Sequence, residues 1–255
     1  MESEVATTPQ GRGTGTREHS TFEQKVHLRQ VVLADIASYP LRDPRIPPIV
    51  LEAYGGSGAI YSKCYGPRRL ISSELPSIGR LPPITDGVVI ERDPQKIDRL
   101  CIIRPRWSVY QGDSPSLLAR GLGGHLACDL WDIDPYGESI SALTALLASI
   151  SEGTRPAPPL VWIAANDGAR QALRRRAAAV WEADYLPKQI VDRYGTALEM
   201  NYLDVVKEIL TTLASASGYT VARYEGYYCG HVLQNTHYLA RLERHSQEGP
   251  VDAIQ

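Results

Sequence analysis

The stretch Leu51-Glu52-Ala53-Tyr54-Gly55-Gly56-Ser57-Gly58 turns from an apolar run into a glycine-rich loop. Its glycines let backbone approach a ligand closely and leave N–H groups pointing outward at a helix start. Such a loop suits a dinucleotide pyrophosphate or the amino-acid end of S-adenosylmethionine. The dinucleotide form asks for G-x-G-x-x-G; Gly56 and Gly58 fit, but Tyr61 stands at the third position, where a side chain blocks close helix–strand packing. Glu91 closes the next apolar run, where an acid accepts hydrogen bonds from both hydroxyls of a ribose; a solvated strand end is the plainer reading. Asp113, in Gln111-Gly112-Asp113, stands where a carboxylate accepts from an adenine amino group, and it equally suits a helix N-cap. Then comes Trp131-Asp-Ile-Asp-Pro-Tyr-Gly-Glu-Ser139, which crowds three acids, a proline, a ring and a glycine into one exit. Strand exits seldom carry that mixture for turning alone.

These residues need a frame that brings strand ends together. Apolar residues at helical spacing predict an amphipathic helix over 21–38, with Val26, Leu28, Val31, Val32, Leu33 and Ile36 as its stripe. Short apolar runs at 49–54, 87–91, 107–113, 125–134 and 159–166 read as strands, each followed by a helical segment; Ser114 reads as a cap with Pro115 at the first helical position. The last two runs, 219–228 and 231–244, read as a terminal hairpin. Strand and helix in alternation predict an α/β sandwich with a mainly parallel sheet, which binds ligands beyond the carboxyl ends of its strands. Five candidate positions fall at such ends: Glu52 to Gly58, Glu91, Asp113, Asp132 to Tyr136, and Asn166-Asp167. Alternation puts Asp132 and Asp134 on one side of their strand, so one can meet a ligand while the other supports it. Asn166 reads first as a cap for the next helix.

Together, "LEAYGGSG", "VVIERDP", "VYQGDSP" and "DIDPYG" resemble motifs one to four of the class I S-adenosylmethionine-dependent methyltransferases, over about residues 48–181. The resemblance implies a Rossmann-like fold: a seven-stranded, mostly parallel sheet in the order 3-2-1-4-5-7-6, helices on both faces. It implies S-adenosyl-L-methionine as cofactor, with Glu52, Gly56 and Gly58 around the methionine part, Glu91 at the ribose and Asp113 at the adenine edge, and with Tyr54, Arg92, Ser114 and Asp134 also among the cofactor-binding residues. Tyr54 departs from the family, which has a glycine there; a non-glycine at that point is similar to the nucleic-acid branch. "DIDPYG" resembles the D-P-[FY]-G signature of the Trm1-type tRNA guanine-N2 methyltransferases. That implies methyl transfer to an exocyclic amino nitrogen, most plausibly of a nucleic-acid base. Asp134 would accept from the amine beside the cofactor, Pro135 would fix the turn and Tyr136 would stack the base. Alignment of nitrogen, methyl and sulfur would carry most of the rate.

Domain limits follow from composition. With 255 residues, 43% hydrophobic and 22% charged, the chain has enough apolar material for one domain, expected over 21–245. Residues 1–20 and 246–255 read as flexible tails. The gap between Glu52 and Glu91 is longer than the family's, so residues 62–86 read as an insertion near the substrate cleft; Lys63, Arg68 and Arg69 there, with Tyr61 and Tyr65 interleaved, suit phosphates and bases. The net charge of −2 lends no support to a strongly basic nucleic-acid binder, so RNA or DNA as partner rests on local patches. Cys64, Cys101, Cys128 and Cys229 are scattered, without metal-ligand spacing, and read as reduced thiols of a cytoplasmic protein without a metal. No apolar run matches a bilayer span. Methylation of a small molecule or protein, and a catalytically silent Rossmann-like binding protein, are the rival readings. Oligomeric state is not legible.

Overall fold

The computed structural model describes residues 21–67, 69, 74–175, 186–230 and 233–245. Five short strands, β1 (Val50–Glu52), β2 (Gly87–Glu91), β3 (Ser108–Gln111), β4 (Leu130–Ile133) and β5 (Leu160–Asp167), run parallel. A long terminal hairpin, β6 (Tyr219–Cys229) and β7 (Asn235–Arg244), closes the sheet, with β7 antiparallel to β5. The strand order is β3-β2-β1-β4-β5-β7-β6, as expected.

Helices cover both faces. On one lie α3 (Ser114–Ala119), α4 (Ile140–Ser151) and α7 (Tyr202–Ala216); on the other lies α1 (Phe22–Ser38), and α2 (Pro94–Ile103) turns Leu100 inward beside it. Side chains alternate along each strand. Leu51, Val88, Trp131 and Ile163 therefore join the α4–α7 core, whereas Val50, Val89, Leu130 and Trp162 join the α1 core. The same parity decides where the polar strand ends go. Glu52, Asp132, Asn166 and, in β7, His237 share the parity of Val50, Leu130, Trp162 and Leu239, so all four face the α1 layer.

The segment after β1 forms a π-helical turn, Tyr61–Tyr65, closed by Gly66 N–H donating to the Tyr61 carbonyl at 2.8 Å. A 3-10 turn, Pro76–Arg80, follows. Ile78, Leu81 and Ile84 are buried in the α1 core, so the long segment between β1 and β2 is fastened under α1. Ser114 is not the cap of α3. Asp113 is, accepting from Ser116 N–H at 3.2 Å, because its backbone is extended while Ser114 already lies in the helix. Asp93 caps α2 in the same way, with Pro94 in the first turn. The sequence after β5 yields α5 (Ala169–Arg175), and α6 (Lys188–Tyr194) follows. Among the described residues no helix is long and apolar enough to cross a membrane.

Candidate functional site

Beneath α1, three ion pairs line up along the carboxyl ends of β1 and β4. Glu52 and Asp132 are register partners on adjacent strands, two buried like charges side by side. Each has its own arginine. Arg29, wholly buried in α1, donates Nε to both Asp132 oxygens at 3.1 Å and Nη2 to Oδ1 at 2.5 Å; Tyr65 O–H donates to Oδ2 at 2.6 Å. Arg104, at the end of α2, pairs with Glu52, its guanidinium 4.6 Å from the Tyr61 ring centre and 5.2 Å from that of Trp107. Nε and Nη1 of Arg104 have no hydrogen-bond partner among the described residues, so the aromatic faces stand in for one. Burial lifts the Glu52 carboxyl to about 7 against the pull of Arg104, and the facing Asp132 adds to the lift.

The third pair lies at the loop that leaves β4. Lys25 Nζ donates to Asp134 Oδ1 at 2.6 Å, and Asn166 Nδ2 donates to the same oxygen at 2.8 Å. Asn166 is held in turn by Arg29 Nη1, 3.1 Å from its Oδ1. Oδ2 of Asp134 lies 3.9 Å from Arg29 Nη2 and accepts no hydrogen bond among the described residues. Burial works to raise the Asp134 carboxyl, but Lys25 and Arg29 outweigh it and hold it below the usual range. Behind it His237 is buried, 3.2 Å from Cys229 Sγ through Nε2. Burial and the cations Arg29 and Lys25 push its imidazole down to about 4, which leaves it neutral near pH 7, while burial pushes the Cys229 thiol up to about 11. The pair is not an activated nucleophile.

The end of β5 fastens the loop at three points. Asn166 holds Asp134, Gly168 N–H donates to the Gly137 carbonyl at 2.7 Å, and Asp167 accepts from Ser139 N–H at 2.8 Å and Ser139 Oγ at 2.7 Å. A Cβ on Gly168 would sit 3.2 Å from the Tyr136 carbonyl oxygen, so glycine permits this approach. The Asp167 carboxyl also accepts from Ala169 N–H and from Tyr202 O–H at 3.2 Å. Burial lifts it to about 6 despite those bonds. With its backbone so held, the loop presents Tyr136 to solvent, 89% exposed.

The expected cofactor side is built locally. Glu91 accepts from Gly56 N–H at 2.6 Å and Asp93 N–H at 2.8 Å, tying the glycine loop to the end of β2. Gly56 has φ +52°, and the side a Cβ would occupy is open, with no atom within 4 Å. Gly58 packs down on Ile103. Tyr54 is half-buried; burial and the carboxylates of Glu138, Asp113 and Asp167 push its phenol up, which sets it between the β3 and β4 exits. Asp113 and Arg92 are exposed. Ser114 Oγ is spent on the Ala53 carbonyl, and Glu52 on Arg104 below the loop. The structure thus ties Gly56 to Glu91 on the loop's open side, leaves Asp113 exposed at the β3 exit, and turns Glu52 and Ser114 to packing. Lys63 is exposed on the π-helical turn, Arg69 donates to the Ile78 and Leu81 carbonyls, and Arg68 lies outside the described residues.

No protein-family model matches the chain, and no curated protein matches it in sequence. Among solved structures, Trm1 from Pyrococcus horikoshii with S-adenosyl-L-methionine is similar, with a TM-score of 0.53 at 11% identity over 87% of this chain. The fold is that of the class I methyltransferases. This chain spans 55% of that protein's length. The N-methyltransferase NodS from Bradyrhizobium japonicum WM9, with S-adenosyl-l-homocysteine, gives a TM-score of 0.49 at 13% identity, over 89% of each chain.

Proposed function

We propose that the chain is an S-adenosylmethionine-dependent methyltransferase acting on an exocyclic amino nitrogen, that of a nucleic-acid base. The cofactor reading rests on fit. The open side of Gly56 and the Glu91 carboxylate, which retains lone pairs beyond its two N–H donors, suit a ribose and a charged amino-acid end at one strand edge. Gly56, Glu91 and Asp113 would hold the cofactor. When bound it supplies an electrophilic methyl: an N–C bond forms as the C–S bond breaks, and that electron pair stays on sulfur.

The observation that carries the amine reading is the state of Asp134. One oxygen is saturated by Lys25 and Asn166, the other is an ionised acceptor without a donor among the described residues, and the exposed Tyr136 ring stands two residues on. A conjugated amino nitrogen is a poor nucleophile. An N–H bond donated to Oδ2 draws its lone pair toward the methyl, and Asp134 passes on the proton the nitrogen sheds. Pro135 fixes the turn and Tyr136 offers its face to an unpaired base. The likeness to Trm1 is consistent with this chemistry.

A second reading, a small-molecule or protein amine, is favoured by Arg69, whose guanidinium is committed to backbone carbonyls rather than offered to phosphate. Calorimetry with S-adenosylhomocysteine tests the cofactor: micromolar-range binding is expected, and no heat sinks the proposal. Tritiated S-adenosylmethionine incubated with total RNA, DNA, protein and metabolite fractions then separates the acceptors. Asp134→Asn, which turns an N–H toward the amine or loses Lys25, is expected to cut transfer by about 10²-fold or more while cofactor binding changes little.

A further inference from the structure

We propose that Lys25 sets the charge of the Asp134 clamp so that it takes a neutral amine and turns away an ammonium ion. This rests on the amine reading of that site and names the class of amine. Lys25 and Arg29 bring two positive charges, and Asp132 and Asp134 two negative ones. The other groups facing them add none: Tyr65 donates its phenol to Asp132, Cys229 and Tyr227 are not ionised near pH 7, and His237 is neutral there. Glu52, one strand away, has Arg104. The cluster carries no surplus negative charge to attract a cation.

Position sharpens the point. Lys25 Nζ sits on Asp134 Oδ1 at 2.6 Å, so an ammonium arriving at Oδ2 meets a second ammonium across one carboxylate in a partly buried site, where like charges repel far more than in water. A neutral conjugated amine meets no such penalty. It also keeps the lone pair that transfer needs, which an ammonium ion lacks. Lys25 meanwhile favours the ionised carboxylate, which leaves Oδ2 a pure acceptor.

The test uses full-length wild type, Lys25→Met, Lys25→Arg and the Lys25→Met/Asp134→Asn double variant. Each is titrated with methylammonium chloride at constant ionic strength and followed by protein-observed NMR. Wild type and Lys25→Arg are expected to show no saturable site. Lys25→Met is expected to bind at least about tenfold more tightly, and the double variant to lose the gain. Wild type binding as well as Lys25→Met, Lys25→Arg behaving like Lys25→Met, or the double variant keeping the gain each overturns the proposal. Should Lys25→Met not fold, Lys25→Gln removes the same charge and carries the same comparison. Calorimetry with S-adenosylhomocysteine on the same preparations keeps the two questions apart: its failure strikes the methyl-transfer reading, whereas the ammonium titration strikes the charge balance alone.

Discussion

The carboxylates at the exits of β2 and β3 differ from those at β1 and β4 in where their partners come from. Glu91 and Asp113 bond to backbone and hydroxyl groups, Asp93 N–H and Ser116 N–H and O–H within three residues and Gly56 N–H of the neighbouring strand's loop, with partly exposed Lys96 3.9 Å from Glu91. Glu52, Asp132 and Asp134 are answered by side chains far along the chain: Arg104, Arg29 and Lys25. The first group stays near solvent or keeps open lone pairs. The second pays a desolvation cost that only a fixed cation offsets. Acids at strand ends thus serve two ends in one sheet, local anchoring at the β2–β3 edge and a neutralised buried row under α1.

The sharpest way to break that contrast is to remove a buried cation. Arg29→Met leaves Asp132 buried without its partner and strips a donor from Asn166. A loss of about 3–5 kcal/mol in urea unfolding is expected, a large part of the stability of an ordinary domain. Adding Asp132→Asn, which keeps an acceptor for Tyr65, is expected to recover most of it. If the double variant is no more stable than the single one, the cost is lost packing and not an unpaired charge.

The same contrast explains what was legible in the sequence. Strand order, most of the helices and the local devices were: Pro115 in the first turn of α3, Asp113 before it, and the glycine loop. All rest on neighbours in the chain or on period-2 and period-3.6 patterning. The cations were not. Lys25 and Arg29 lie on the stripe of α1 that also carries Val26, Val32, Leu33 and Ile36, and a charge on a buried stripe was the available sign; nothing nearby says which carboxylate it meets. Glu52 was read as a ligand because its type and place fit one, and Arg104, which claims it, follows fifty-two positions later. Asn166 reads as an ordinary cap and Asp167 only as a strand end, yet they grip residues 134 and 139. α6 was missed because it buries Ile190 alone.

A smaller effect separates Asp167 from Asp134. Buried and hydrogen-bonded but without a cation, its carboxyl is lifted to about 6, whereas Asp134, with Lys25 and Arg29, is held below the usual range. The signs are opposite. A raised folded-state value means stability that is fully present below about pH 3.8 and lost as pH rises through 6; a lowered one means stability present above 3.8 and lost as pH falls. Thermal unfolding of wild type between pH 4 and 7 is expected to carry a component of falling stability. Asp167→Asn is expected to flatten that component and leave the acid limb in place. An unchanged slope would mean that Asp167 is ionised throughout and that the loop's anchor does not titrate.

The smallest stability change is expected at Asp113, where it discriminates most finely between anchoring and binding. Only Oδ2 is used in the cap, toward Ser116 N–H and Oγ, so Oδ1 is left for a ligand. Asp113→Ala removes both functions and should cost about 1 kcal/mol of stability. Asp113→Asn keeps an oxygen for the cap, and asparagine caps helices about as well as aspartate, so stability should stay within about 0.5 kcal/mol. Its other end is an amide N–H₂, a donor where an adenine amino group needs an acceptor. If Asp113 serves only the helix, the asparagine variant binds S-adenosylhomocysteine like wild type. If the second oxygen serves the cofactor, affinity falls about tenfold with no change in melting, the value of one hydrogen bond to a charged group. That outcome would place a local anchor and a binding group in one side chain, a division of labour unlike that of the buried row under α1, where Glu52, Asp132 and Asp134 each answer a fixed cation.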